Sequence, residues 1–245
     1  MEVLNKGMLV RKLIGVMKDS RYRGVLLKYS VAAAVEHQAP LKLLGCRTVV
    51  DIGANEGQFA LVAHRLFPEA RIFSFEPLAE PLSVFRKVFH DDPRVTIFAA
   101  AIGPNRTSAT IHVSKRLDSS SMLPITSMQS SVFPGTEQSR TEVVQVGRLR
   151  EYLALTDIPS PALLKIDVQG YELEVLKGCN ELINGFRYVY VECSFMELYK
   201  EQALADEIID WLHDRSYRLV GIYNLSYDRD GIAIQGDFLF KTIVN

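Results

Sequence analysis

Apolar and polar positions along the chain follow two alternating periods. Residues 48–52 form a short β-branched run that is typical of a buried strand. After a glycine-containing turn, Phe59, Val62, Ala63 and Leu66 recur at the i, i+3, i+4, i+7 spacing of one helix face. Strand, glycine turn and helix are the opening unit of a Rossmann-like α/β fold.

The alternation continues through most of the chain. Helical stripes separate further predicted strands, at residues 71–75, 95–101, 163–167, 188–191, 217–223 and 237–243. The last two runs predict a close antiparallel pair, which departs from simple βα alternation. A short helix is predicted after Gly170, and Gly178 is predicted to cap its end.

One segment interrupts this pattern. Residues 107–113 and 142–146 alternate like the strands of a hairpin, and a long segment rich in Ser, Thr, Pro and Met, residues 114–140, lies between them. A loop of this length is usually functional or mobile. Its Ser119-Ser120-Ser121 run can hydrogen-bond a polar substrate, although a solvated flexible loop explains most of its residues equally well.

The first 45 residues predict a helical extension. Leu9, Leu13, Val16 and Met17 form an apolar stripe, and a second helix is predicted over residues 25–35, with Pro40 as a breaker. The extension is locally basic, with cations at Lys6, Arg11, Lys12, Lys18, Arg21, Arg23 and Lys28. Either these cations line a solvated helix face, or the extension is a lid or rim that attracts an anionic substrate.

The turn after the first strand indicates the class of cofactor. A dinucleotide fingerprint, G-x-G-x-x-G, set on Gly53 requires glycine where the chain has Asn55 and Gln58. The sequence therefore disfavours nicotinamide and flavin dinucleotides and favours S-adenosylmethionine (SAM). Asp51 can face the amino group of SAM, directly or through water, and the following helix N-terminus favours its carboxylate. A generic strand-to-helix turn with a capping aspartate is the alternative.

Two later strand ends extend this prediction. Glu76 closes the second strand before Pro77, about 20 residues after the glycine turn, where an acid accepts hydrogen bonds from a ribose diol. Small residues at the end of the third strand leave room for an adenine ring. The predicted cofactor-binding residues are Asp51, Gly53, Ala54, Asn55, Gly57, Glu76, Pro77, Ala100, Ala101 and Asp167.

Carboxylates end two neighbouring central strands. Asp167 and Glu192 are the predicted catalytic residues, with Asp167 as general base and Glu192 orienting the acceptor. A divalent-metal pair is the weaker alternative, because two carboxylates are a sparse ligand set for magnesium, and no metal site is predicted. Structural acids that cap helix amides are the third interpretation.

Composition limits the remaining options. The chain has 245 residues, a net charge of −1 and 48% hydrophobic residues, so one sizeable core is expected and nucleic acid is not an expected partner. No run approaches the ~20 apolar residues of a membrane span. Three cysteines without metal-type spacing predict buried thiols in a reducing cytoplasm. The expected partner is a small-molecule acceptor, and the sequence leaves a homo-oligomer open.

Three stretches resemble the FkbM family of class I SAM-dependent methyltransferases. They are Val50-Asp51-Ile52-Gly53-Ala54-Asn55-Glu56-Gly57, Phe75-Glu76-Pro77, and the block from Leu164-Lys165-Ile166-Asp167-Val168-Gln169-Gly170-Tyr171-Glu172 to Gly178, with Tyr190-Val191-Glu192 also matching. The block around Lys165 is the most specific. The resemblance covers about residues 48–240, and the predicted division is an N-terminal helical extension over 1–45 and a methyltransferase domain over 46–245.

The resemblance implies a doubly wound seven-stranded sheet in the order 3-2-1-4-5-7-6, with the last strand antiparallel. It also implies O-methylation of a hydroxyl, most commonly on a sugar or glycoconjugate, with S-adenosylhomocysteine (SAH) as product. Three alternatives are a polyketide, peptide or lipid acceptor, a dinucleotide-dependent oxidoreductase on a similar fold, and a SAM-binding module without catalysis. Asn55 and Gln58 occupy positions where a dinucleotide fingerprint requires glycine, which argues against the oxidoreductase.

Overall fold

The computed structural model of the protein describes residue 10 and residues 12–243. Two sheets are built from the strands β1 Thr48–Ile52, β2 Arg71–Phe75, β3 Val95–Phe98, β4 Ala101–Ile102, β5 Thr107–Ser114, β6 Gln138–Gly147, β7 Ala162–Ile166, β8 Tyr188–Ser194, β9 Tyr217–Tyr227 and β10 Ala233–Thr242. The helices are α1 over residues 12–18, α2 Ser20–Tyr29, α3 Gln38–Leu41, α4 Gln58–Leu66, α5 Ala79–Val88, α6 Ser127–Val132, α7 Glu172–Cys179 and α8 Ala205–His213.

The main sheet has seven strands in the order β3-β2-β1-β7-β8-β10-β9. Pairing is parallel from β3 to β8, and β10 runs antiparallel to both β8 and β9. Numbered within this sheet alone, the order is 3-2-1-4-5-7-6 with the last strand antiparallel. The predicted doubly wound, Rossmann-like fold is therefore confirmed.

Alternate residues of the central strands face two separate cores, because successive side chains in a strand point to opposite faces. Val50 and Leu164 pack with α7 and α8 on one face. Val49 and Leu163 pack with α2, α4 and α5 on the other. Helices on both faces bury the parallel strands and leave their carboxyl ends as the open edge.

A second sheet of three strands, in the order β4-β6-β5, stands beside this edge. The predicted hairpin is present as β5 and β6, which are longer than expected. The predicted third strand over residues 95–101 is wrong in its last part. β3 ends at Phe98, and Ala101–Ile102 instead pairs with β6, because Ala101 aligns with Val146 in the second sheet.

The N-terminal extension shares the core of the sheet. Val16, Tyr22 and Val31 are buried in the same cluster as the α4 side chains. The predicted helix over residues 25–35 is correct only as far as Tyr29, where α2 ends, because Ser30 adopts a left-handed conformation with φ of 61°. Pro40 lies inside the short helix α3, close to its N-terminus, where a missing N–H is tolerated. Leu9, Lys6 and Arg11, which carried part of the prediction, lie outside the described residues.

The prediction that Gly178 caps the helix after Gly170 is wrong. Gly178 lies inside α7, which ends at Cys179, and does not cap the helix. A Cβ atom at this position would lie 2.4 Å from the carbonyl oxygen of Gly103. Glycine therefore permits close contact between α7 and the chain after β4.

The three cysteines are buried free thiols, as predicted. Among the described residues, the structure has no helix that is long and apolar enough to cross a membrane.

We expect Tyr22→Ala to lower the free energy of unfolding by about 3–5 kcal/mol, because it removes a fully buried aromatic side chain between the extension and the body of the fold. Urea denaturation measures the change. The matched control is Leu27→Ala on the same helix, where the side chain is 77% exposed and a change of at most about 0.5 kcal/mol is expected. Equal effects of the two substitutions would contradict this packing.

Candidate active site

The candidate site lies at the carboxyl edge of the main sheet, where β1, β2, β7 and β8 end. Gly53 begins the turn after β1, and the backbone N–H groups of Gly53 and Ala54 donate to the Phe75 carbonyl at 3.1 and 3.0 Å. Gly53 has φ of +79°, and a Cβ atom there would lie 1.8 Å from the Asp167 carbonyl oxygen. The turn therefore passes directly against the end of β7, and only glycine permits this approach.

A cleft with about 570 Å³ of free space, part of it open solvent, lies at this edge. Seven of the ten predicted cofactor-binding residues line it: Gly53, Asn55, Glu76, Pro77, Ala100, Ala101 and Asp167. Asp51, Ala54 and Gly57 do not line it, and neither does Glu192.

The three non-lining cofactor residues support the turn from behind. Ala54 is buried in the core, and Gly57 caps α4 with φ of 95°. Asp51 is fully buried, so its side chain does not reach the cleft directly.

Glu76 is held in a defined orientation by the backbone. One carboxylate oxygen accepts from Asn55 N at 2.9 Å and the other from Leu78 N at 2.8 Å. Burial raises the pKa of Glu76 to about 7, against the lowering effect of these two hydrogen bonds. Each oxygen retains a lone pair for a further donor, which suits the two hydroxyls of a ribose.

The remaining cleft lining also suits an adenosine-type ligand. Ala100 and Ala101 are small and leave space beside the β2 end. The side-chain oxygen of Asn55 is buried and accepts no hydrogen bond from the described residues. An orphaned buried acceptor next to a glycine turn is satisfied when a ligand donor arrives. The residues present therefore fit SAM.

Asp51 pairs with Lys165, a residue whose role the sequence did not indicate. The Lys165 ammonium lies 3.1 Å from Asp51 Oδ1 and 3.7 Å from Asp167 Oδ2. It also donates to the Gly53 carbonyl at 3.2 Å. Burial acts against the ammonium, but the two carboxylates outweigh it and raise the pKa of Lys165, while burial raises that of Asp51.

The two predicted catalytic acids are connected by a third side chain. Gln169 Nε2 donates to Asp167 Oδ1 at 2.8 Å and to Glu192 Oε2 at 2.7 Å. The sequence indicated Gln169 only as part of the turn before Gly170. Its position two residues after a strand-end acid is the one signal that sequence offered.

Several carboxylates surround Glu192. Asp237 on β10 is its cross-strand partner, and Asp167 lies on the opposite side. Burial, followed by the charges of Asp167 and Asp237, raises the pKa of Glu192 well above its ordinary value. Glu192 therefore retains a proton at a pH where an exposed glutamate is ionised, which is typical of acid–base groups in active sites.

The segment between β5 and β6 forms one wall of the cleft. Leu117, Asp118, Ser120 and Met122 line it, so the predicted loop is partly structured and lies at the site. Of the three serines, only Ser120 faces the cleft. Ser119 is buried beside Asp118 and Ser121 is buried beside Leu123, so neither is available to a substrate.

The described part of the N-terminal extension does not line the cleft. Lys12 pairs with Glu36 within the extension, and Arg21 contacts His64 and Asp92 in the body of the fold. Within the described ranges, no group of three or more His, Cys, Asp and Glu side chains is arranged to hold a metal ion.

This sheet order, with an open cleft against the glycine turn and an acid closing the second strand, defines a Rossmann-like SAM-dependent methyltransferase. A model of the methyltransferase FkbM domain matches residues 51–219. The protein belongs to the FkbM methyltransferase family and is a methyltransferase enzyme.

Curated relatives agree with this assignment. The 2-O-methyltransferase NoeI of Sinorhizobium fredii is 28% identical over 199 residues, which cover 79% of this chain and 78% of that protein. The hexuronic acid methyltransferase AglP of Haloferax volcanii is 27% identical over 144 residues, 58% of this chain and 54% of that protein.

Among solved structures, precorrin-6y C5,15-methyltransferase from Geobacter metallireducens superposes with a TM-score of 0.46 at 13% identity, covering 83% of this chain and 84% of that one.

We expect Glu76→Ala to weaken SAH binding about 100-fold or more, because two hydrogen bonds to a charged acceptor are each worth roughly 1.5–3 kcal/mol. Isothermal titration calorimetry measures the affinity. Glu80→Ala is the matched control on the neighbouring helix, since Glu80 is exposed and does not line the cleft. An unchanged SAH affinity in Glu76→Ala would refute the ribose assignment.

The pH dependence of SAH binding tests the same carboxyl. The pKa of Glu76 is about 7, so its ionised fraction falls as the pH is lowered from 8 to 6. If the ionised form binds the ribose, SAH affinity falls by up to about tenfold over this range. Glu76→Gln should abolish this dependence. The folding stability of the ligand-free protein should depend on pH in the opposite direction to SAH affinity. Because the pKa of Glu76 is raised in the folded state, its contribution to the free energy of unfolding falls as the pH rises from about 4.5 towards 7.

We expect Lys165→Met to lower the free energy of unfolding by about 3–5 kcal/mol, because it leaves Asp51 buried without a counter-charge. The double variant Lys165→Met, Asp51→Asn should recover part of this loss. Lys177→Met is the control: Lys177 pairs with Glu174 on the surface, and its loss should cost at most about 1 kcal/mol. Equal losses for the two lysines in urea denaturation would contradict a structural role for the buried pair.

Proposed function

We propose that this methyltransferase transfers a methyl group from SAM to a hydroxyl of a sugar or glycoconjugate. The observation that carries the proposal is the position of Asp167, which lines the same cleft as Gly53 and Glu76. One end of the cleft thus fits adenosine, and the other presents a carboxylate. The names of two relatives, a 2-O-methyltransferase and a hexuronic acid methyltransferase, support a hydroxyl-bearing carbohydrate acceptor.

Cofactor binding is assigned to three groups of the chain. Glu76 accepts from the ribose hydroxyls, Ala100 and Ala101 border the adenine ring, and the Gly53–Asn55 turn faces the methionine end. Asp51 would act on the amino group indirectly, through its ion pair with Lys165, which donates to the Gly53 carbonyl. When bound, SAM supplies a methyl group on a sulfonium leaving group.

Asp167 is the proposed general base. It accepts the proton of the acceptor hydroxyl as the oxygen attacks the methyl carbon, and the oxygen–carbon bond forms while the carbon–sulfur bond breaks. Glu192 does not line the cleft, so it acts on the acceptor only through Gln169 and Asp167, by stabilising the proton on the pair. A metal bridging Asp167 and Glu192 remains the weaker alternative.

The acidic side chains that line the cleft favour an uncharged acceptor. Its described lining contains the acids Glu76, Asp118 and Asp167 and no lysine, arginine or histidine. A carboxylate or phosphate near the methyl would meet like charges, and the nearest cations are already paired with those acids, Lys165 with Asp167 and Arg116 with Asp118. We therefore propose an uncharged hydroxyl-bearing sugar as acceptor, in contrast to the hexuronic acid named for the archaeal relative.

Polyketide, peptide and lipid hydroxyls remain the competing acceptors, because they require the same base and the same alignment. The dinucleotide-dependent oxidoreductase is not retained, since the chain belongs to a methyltransferase family. A cytoplasmic location and the absence of nucleic-acid partners stay predictions from cysteine usage and net charge.

A panel of acceptors tests the proposal. Transfer of labelled methyl from SAM is measured with neutral glycosides, uronates, phosphorylated sugars and non-sugar alcohols. Neutral glycosides should react at least about tenfold faster than their uronate counterparts, because repulsion by two nearby carboxylates costs more than about 1.4 kcal/mol at low effective dielectric. Preferential methylation of a uronate would overturn the charge argument, and exclusive methylation of a non-sugar alcohol would overturn the sugar assignment.

Asp167→Asn should retain SAH affinity within about tenfold and lose turnover by roughly 10²–10⁴, the usual contribution of a general base. Asp118→Asn is the matched control, since it removes a carboxylate from the cleft wall without removing the proposed base. Turnover by Asp167→Asn at the wild-type rate would mean that Asp167 is structural. Loss of wild-type activity on chelation with EDTA would favour the metal alternative.

A further inference from the structure

The side chain of Gln169 lies between the two acids and donates a hydrogen bond to each. Its side-chain nitrogen donates one N–H to Asp167 and one to Glu192, at 2.8 and 2.7 Å. Its side-chain oxygen accepts from the Tyr199 hydroxyl at 2.8 Å. Both N–H donors and one of the two lone pairs of the oxygen are therefore used, at the wall of the cleft.

The orientation of this amide is determined by its neighbours. Carboxylate oxygens of Asp167 and Glu192 both lie within hydrogen-bond distance of the same amide atom. If the amide were rotated by 180°, its oxygen would face the Asp167 carboxylate, and its nitrogen would face the Tyr199 hydroxyl, which would lose its acceptor. The nitrogen therefore faces the acids, and the Tyr199 hydroxyl complements the oxygen.

The backbone places the side chain across two strands. Gln169 has φ of 58° and Gly170 has φ of 100°, so two successive residues adopt positive φ after β7. A non-glycine residue in this region costs about 1 kcal/mol and is retained where the surrounding structure requires it. At Gly170 a Cβ atom would lie 2.9 Å from Cβ of Tyr199, so the turn is also fixed against the residue that orients the amide.

From these contacts we infer that Gln169, oriented by Tyr199, is a positioning residue that holds Asp167 and Glu192 as one hydrogen-bonded pair for the methyl transfer. This inference rests on the proposed function. The amide fixes the distance between the two carboxylates and directs the second oxygen of Asp167 away from Glu192, where it faces Lys165 at 3.7 Å.

The amide also affects the protonation of the pair. The charged groups that act on Glu192 are Lys165 on β7, Asp167 directly after β7, Asp237 on β10 and Glu172 on α7. Three of the four are acids, so the pair is under strong like-charge repulsion. Glu192 accepts one N–H from Gln169 and one from Gln235, so removing the Gln169 donor destabilises the ionised form and raises the pKa of Glu192 further.

Tyr199 links this pair to the segment between β5 and β6. Its hydroxyl lies 3.1 Å from the Ser119 carbonyl, and Gln129 Nε2 donates to it at 3.1 Å. A hydroxyl has one proton, and the shorter contact is to Gln169. The wall of the cleft and the orientation of the amide are thus connected through one side chain.

The first experiment does not require turnover. Carboxyl carbon chemical shifts of Asp167 and Glu192 are followed by NMR against pH in the SAH-bound wild type, Gln169→Leu and Gln169→Asn. Leucine removes both donors, and asparagine, which tolerates positive φ, keeps the amide but shortens its reach. Both variants should raise the upper titration midpoint of the pair by about one pH unit. Gln145→Leu, at an exposed glutamine on β6, is the matched control and should leave the midpoints unchanged.

The second experiment measures methyl transfer against pH with the acceptor identified in the panel. Gln169→Leu and Gln169→Asn should lower kcat about 10–100-fold, because a misplacement of the base of about 1 Å has effects of this size. The acidic limb of the kcat profile should move upward with the NMR midpoint, and the KM for SAM should stay within about threefold. Tyr199→Phe should give a smaller change in the same direction.

The outcomes separate the inference from the proposed function. A raised midpoint and a shifted kcat profile support both. A raised midpoint in a protein whose wild type methylates none of the acceptors supports the pairing by Gln169 and refutes the proposed function. Unchanged midpoints in folded Gln169 variants, judged by their melting temperatures, overturn the inference. So does a raised midpoint with unchanged kcat and pH profile.

Discussion

The ammonium of Lys165 is the interaction on which this edge of the sheet depends. It lies among Asp51, Asp167 and the Gly53 carbonyl, so it connects the ends of β1 and β7 where they meet. Without a buried cation, the fully buried Asp51 would be an uncompensated charge, and such a charge destabilises a folded protein by several kcal/mol. The Gly53 turn, which lines the cleft, is therefore fixed by two contacts. Its carbonyl accepts from the Lys165 ammonium, and its Cα lies against the Asp167 carbonyl.

Much of the fold could be predicted because its signals are local. The run from Thr48 to Ile52 and the stripe that begins at Phe59 specify a strand and a helix without reference to the rest of the chain. The errors arise where tertiary contacts override such signals. Ser30 ends α2 in a left-handed conformation, and Ala101–Ile102 joins a second sheet because β6 offers it a partner. No periodicity within either segment encodes those partners.

In the candidate site, too, local sequence predicts some features and tertiary contacts create the others. Gly53, Glu76 and Asp167 follow strands, and the carboxyl ends of parallel strands meet at one edge, so their sequence positions alone predict that they lie together. Asp51 carries the same signal but lies behind the turn, because its side chain points to the buried face that Lys165 occupies. The partnership of Gln169 with Glu192 and Tyr199 joins residues 23 and 30 positions apart, and only the folded chain creates it.

The arrangement explains why a structured segment follows β5 where a short turn would complete the hairpin. A parallel sheet edge alone leaves the reacting groups open to water, which weakens their electrostatic interactions. Residues from Leu117 to Met122 cover the cleft, while Ser119 and Gln129 contact Tyr199 and, through it, Gln169. The covering wall and the carboxylate pair therefore share a hydrogen-bond network. If Asp167 is the base proposed above, we expect a change in how that wall packs to alter the orientation of Gln169, and with it the position of the Asp167 carboxylate.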